Sequence, residues 1–149
     1  MNQTCENATE FLSGLVADLK FDLTVSSEWM DEGCMLDLNG VDSHYALAEN
    51  GEMLDAFETL LFQIYGRELD REHRFVVDAE GFRKTRKAEL YAMAKFAAEQ
   101  VRKNGRPFTF GVLNSTERRL IHVSLQNEED LFTESVGDGR DRRLQVRLQ

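Results

Sequence analysis

The sequence predicts an α+β protein made of two small subdomains, divided near residue 79. Three observations predict it. Amphipathic helical stretches and short alternating stretches follow one another in two separate series. Charge segregates between the halves: residues 1–78 carry 17 acidic and 4 basic side chains, net −13, whereas residues 79–149 carry 10 acidic and 14 basic, net +4. With 42% hydrophobic residues in 149, a packed core is within reach. Each half of ~70 residues would be marginal alone, so the two are expected to pack on one another.

In the first half, Ala8, Phe11, Leu12, Leu15, Val16 and Leu19 recur at three- and four-residue steps and predict a helix over 8–19. Phe21, Leu23 and Val25 alternate with polar neighbours, as do Cys34, Leu36 and Leu38. These are strands, joined through Asp31-Glu32-Gly33 as a hairpin. Residues 42–50 read as a short polar turn. Leu54, Phe57, Leu61, Ile64 and Tyr65 then mark a helix, which Gly66 is expected to stop in the left-handed conformation. A short buried strand over Arg74–Asp78 closes the series.

The second half opens on a long helix, about 80–103, striped by Leu90, Ala94, Ala97 and Val101 and ended by Asn104-Gly105. Its cluster Arg83, Lys84, Arg86 and Lys87 reads as a solvated face. Phe108, Phe110 and Val112 share one face of a strand after Pro107. Asn114-Ser115-Thr116-Glu117 has the form of a capping box and starts a helix to about Gln126. Strands over 131–136 and 142–148 follow, the last with Leu144, Val146 and Leu148 on one face and Arg143, Gln145 and Arg147 on the other.

Several function classes are excluded. No apolar run approaches the ~20 residues of a membrane-spanning helix, and MNQTCENATE is not a basic, apolar leader. Membrane insertion and secretion are therefore not expected. Cys5 and Cys34 have no metal-ligand spacing; they read as free thiols in a reducing compartment, the cytoplasm. His44, His73 and His122 are scattered, and neither Asp42 nor Glu49 completes a ligand set around His44. No nucleophile, paired acid and base, or phosphate-binding glycine loop is present, so neither an enzyme nor a cofactor is expected.

The chemistry concentrates in Glu117-Arg118-Arg119-Leu120-Ile121-His122. On a helix, Arg118 and His122 stand four residues apart on one face. The arginine offers forked donors to a phosphate, and the imidazole adds a donor, or a charge when protonated. Placed early in the helix, the pair is expected to share its positive end. Lys103 and Arg106 precede this segment, and Gly137-Asp138-Gly139-Arg140 with Arg142 and Arg143 follows it.

With Val77-Asp78-Ala79-Glu80-Gly81-Phe82-Arg83, Gly105-Arg106-Pro107 and Asn114-x-x-Glu117-Arg118-Arg119-x-x-His122-x-x-Leu125-Gln126, the chain resembles the Jag (SpoIIIJ-associated, KhpB-like) family from about Ala8 to Val146. That family joins a K-homology (KH) domain to an Arg-x-x-x-His domain called R-3-H, and is taken to bind RNA or single-stranded nucleic acid. The resemblance implies a KH-like αββααβ half over 5–78, packed on an R-3-H-like α/β half over 79–148 with a small mixed sheet. Many members carry a further N-terminal domain and linker, for which this sequence has no counterpart.

The resemblance departs at the loop with which a KH domain clamps nucleic acid, Gly-x-x-Gly with basic middle residues. The aligned residues here are Ala48-Glu49-Asn50-Gly51, and residues 1–66 hold 13 acidic side chains against Lys20 alone. Ala48 resists close approach of a backbone and Glu49 repels phosphate. The KH half is therefore expected to keep its fold without binding RNA. Non-catalytic binding of RNA or single-stranded DNA is assigned to Arg118 and His122, with Arg119, Lys103, Arg106, Arg142 and Arg143 extending the track. Few cations imply weak affinity, on the order of micromolar or poorer. The competing expectation is an adaptor that has lost this binding and meets another KH-domain protein, or a second copy of itself.

Overall fold

The computed structural model describes residues 2–149 and is α+β, in two compact units, Met1–Lys84 and Thr85–Gln149. The division falls within the first turn of the long helix.

The first unit runs α1 (Gln3–Asp18), β1 (Thr24–Met30), β2 (Gly33–Asn39), α2 (Ser43–Tyr65) and β3 (Arg74–Ala79). Helix α1 begins five residues before its apolar stripe, because Asn2 caps it by accepting from the Cys5 amide at 3.2 Å. The expected hairpin is present, with Trp29 opposite Cys34, and β3 joins β2 in parallel to give a mixed sheet ordered β1-β2-β3. Leu12, Leu36, Leu38, Leu54, Leu61 and Val77 form a buried core between helices and sheet. Gly66 is not a left-handed stop. Its φ is −59° and the chain continues into a 3-10 turn, Gly66–Glu68; the missing side chain leaves room for the Phe62 ring, which a Cβ would approach to 2.8 Å.

The cysteines require a correction. Cys5 and Cys34 are not free thiols but a disulfide, with Cα atoms 5.4 Å apart and both residues fully buried. The hairpin returns β2 beneath the first turn of α1, closing a separation of 29 residues that spacing alone does not reveal. They therefore no longer argue for a reducing compartment.

The second unit takes the rest of α3 (Phe82–Asn104), then β4 (Phe108–Thr109), α4 (Ser115–Leu125), β5 (Leu131–Val136) and β6 (Arg143–Leu148). Gly105, at φ +70°, supplies the left-handed stop expected after α3. The sheet, ordered β4-β6-β5, is antiparallel throughout rather than mixed, since β4 and β5 both run against β6. Leu90, Ala94, Val101, Ile121, Leu144 and Val146 form its core. Strand β4 is only two residues long, so Val112 leaves the sheet and is exposed, whereas Phe110 is buried as expected.

Candidate nucleic-acid interface

Helix α4 carries the candidate pair, and its start is fixed by the capping box read from the sequence. The Asn114 side chain accepts from the Glu117 amide at 2.8 Å, and Glu117 Oε1 accepts from the Asn114 amide at 3.1 Å. Glu117 Oε2 also accepts from Arg86 Nε at 2.6 Å, and both side chains are largely buried. Partial desolvation disfavours the Arg86 charge, but the hydrogen bond and charge of Glu117, with Glu89 adding to them, hold its pKa above the ordinary arginine range. The positive end of α4 is thus already engaged by a carboxylate. His122 lies in the last turn of the helix, so the pair does not share the N-terminal turns as expected.

Arg118 is half-buried and folds back so that Nη1 donates to the Leu113 carbonyl at 2.5 Å. No carboxylate pairs with it among the described residues. The exposed His122 hydrogen-bonds through Nδ1 to Thr133 Oγ1 on β5. When Nδ1 accepts from that hydroxyl, Nε2 carries the proton and is left to donate outward; when the ring is protonated, both nitrogens donate. Thr133 therefore sets the direction of the imidazole. The sequence reading missed it, although alternation along β5 already puts Leu131, Thr133 and Ser135 on one face.

Arg118, Arg119, His122 and Arg142 line one hollow of about 400 Å³, with Thr133 and Ser135 at its sheet side. Arg142 is tethered by Nη1 to the Gly137 carbonyl at 2.9 Å. Glu134 also reaches the hollow, and Arg147 lies 3.9 Å from its carboxylate. The other three expected cations are elsewhere. Arg143 faces the opposite side of the sheet with Gln145 and Arg147, its guanidinium donating to the Arg140 carbonyl at 2.6 Å. Lys103 and Arg106 precede β4, which β6 separates from β5.

Pairing divides the basic residues further. Arg83 belongs to the first unit, where it donates to Asp55 at 2.6 Å, to Glu58 and to the Val77 carbonyl. Arg102 bonds Asp130 at 2.7 Å and Glu128 at 3.0 Å. The expectation of a solvated face over Arg83–Lys87 thus fails for Arg83 and Arg86, which are structural.

The loop Ala48-Glu49-Asn50-Gly51 interrupts α2. Ala48 is extended (φ −60°, ψ 153°), and Glu49, Asn50 and Gly51 follow in left-handed conformations at φ 53°, 56° and 77°. Ala48, Glu49 and Asn50 are exposed, while Gly51 is buried where a Cβ would meet the Phe82 ring at 2.5 Å. Among the described residues, no helix is long and apolar enough to cross a membrane.

The second unit carries an R-3-H domain: residues 88–148 match the model of that family. Over 97% of its length, the chain is 27% identical to RNA-binding protein KhpB of Clostridium symbiosum, of which it covers 66%. It is 30% identical over 73% of its length to RNA-binding protein KhpB of Bacillus subtilis (strain 168), covering 53% of that protein. A third relative, RNA-binding protein KhpB of Lactiplantibacillus plantarum, is 24% identical over 99% of the chain, which covers 46% of it. The resemblance to the Jag family is therefore borne out, and the chain spans 46–66% of the length of these curated relatives.

Proposed function

We propose that the protein binds RNA or other single-stranded nucleic acid, without catalysis, through the hollow that holds Arg118 and His122. The single observation that carries this reading is the hollow itself, where Arg118, Arg119 and Arg142 meet His122 and none of the three arginines is paired with a carboxylate among the described residues. Arg118 keeps guanidinium donors for a phosphate oxygen beyond the one held by Leu113, and His122 adds its outward nitrogen. The relatives' name, RNA-binding protein, supports the same class of ligand. On this reading the KH-like first unit contributes no clamp. Its loop offers Glu49 where a phosphate would need a cation.

The test is titration of a labelled single-stranded oligoribonucleotide with the wild-type chain and with the double variant Arg118→Ala/His122→Ala. Hydrogen bonds to charged groups are worth ~1.5–3 kcal/mol each, so the double variant should bind at least tenfold more weakly. A wild type that binds no oligonucleotide sinks the proposal. That result would favour the adaptor reading instead, for which the net −13 of residues 1–78 provides a surface suited to a basic partner.

A further inference from the structure

A second hollow of about 320 Å³ lies between α3 and α4 of the same unit, beside the first. Its apolar lining is Tyr91 from α3 with Leu120 and Val123 from α4, and Lys87 and Arg119 stand at its rim among hydroxyl residues. Tyr91 and Val123 are each 47% exposed, a large apolar area for a soluble surface to leave uncovered. No carboxylate lines this hollow, and neither Lys87 nor Arg119 has an acidic partner among the described residues. Arg119 lines both hollows and makes them neighbours.

We propose that the second hollow is a nucleobase-stacking subsite, with Tyr91 as the platform and Lys87 and Arg119 contacting the backbone on either side of the stacked nucleotide. This rests on the nucleic-acid reading of the Arg118–His122 hollow and deepens it. A flexible single strand presents alternating π-faces and negative charges, and an exposed phenol ring between two unpaired cations matches that alternation. Every base has a π-face, so the subsite selects unpaired strands over duplexes without selecting a sequence. In a duplex the bases are stacked on one another, and the ring has no face to meet. Charge complementarity favours this occupant over an apolar peptide, which would leave Lys87 and Arg119 without partners.

The experiment compares two labelled probes on the full chain: a short uridine oligonucleotide and an abasic ribose-phosphate strand of the same length. Stacking of one base is worth about a fivefold or larger change in affinity. Wild type should therefore prefer the uridine strand by about that factor. Tyr91→Ala should lose the preference while binding the abasic strand as wild type does, and Tyr91→Phe should keep it. Alanine is well suited to an exposed helix position, so Tyr91→Ala should fold. Equal affinity of wild type and Tyr91→Ala for uridine overturns the subsite, as does a loss that is the same on both strands. If binding is lost in Arg118→Ala/His122→Ala but unchanged in Tyr91→Ala, only the subsite fails. If wild type binds neither strand, the parent reading fails with it.

Discussion

Two exposed surfaces, each next to a helix start, differ in what their charges are already doing. At the first unit's loop, the exposed side chains are Ala48, Glu49 and Asn50, and two non-glycine residues adopt left-handed conformations. That geometry costs ~1–2 kcal/mol per residue. It is held by the second half of α2 and by Gly51 against Phe82. At the second unit's hollow, Arg118, Arg119 and Arg142 remain without carboxylates although acidic residues are nearby. The difference teaches that the number of cations is a poor guide to a polyanion surface. Arg83, Arg86 and Arg102 are as basic as Arg118, but Asp55 and Glu58, Glu117 and Glu89, and Asp130 and Glu128 already hold them.

The largest expected effect separates the scaffolds of the two surfaces. Glu117→Ala leaves Arg86 in a largely buried site without its partner and removes half of the capping box. Loss of one member of a buried pair typically costs ~3–5 kcal/mol. Urea unfolding should show the second unit destabilised by about 3 kcal/mol or more, with the first unit's transition unchanged. A loss below about 1 kcal/mol would mean the pair behaves as an exposed one, and α4 would need another anchor.

A smaller effect tests whether the first surface is merely switched off by its charge. Ala48→Gly/Glu49→Lys restores the glycine and cation that the family pattern has at the loop. An exposed ionic contact is worth ~0.2–1 kcal/mol, so single-stranded RNA should bind at most about fivefold more tightly. Filter binding of the variant beside wild type measures this. A gain well above tenfold would show a complete clamp suppressed by two residues, and the contrast between the units would then lie in two side chains rather than in architecture.

Much of this contrast was legible in the sequence, because it rests on local patterns. The capping box needs only Asn114 and Glu117 three residues apart, and the shared face of Arg118 and His122 needs only helical spacing. Strand β5 came out at its observed bounds because its alternation is uninterrupted. What stayed hidden was long-range. Arg86 and Glu117 are 31 residues apart and the disulfide spans 29, so neither pairing has a local signature. Thr133 gained its role only through the position of β5 beside α4. Arg143 is a different case: alternation along β6 already set it on the face of Arg147, and local charge density outweighed that pattern in the expectation. Residues 43–47 are helical although their sequence reads as a turn, because a break at Ala48–Gly51 divides them from the apolar stripe of α2.

Amide chemical-shift mapping during titration with a single-stranded oligoribonucleotide reads both surfaces at once and tests the central claim most directly. The account predicts that the signals of Arg118, Arg119, His122, Thr133 and Arg142 move together with added RNA, while those of Ala48 through Gly51 stay in place. Movement at the loop with a silent Arg118–His122 hollow would contradict it.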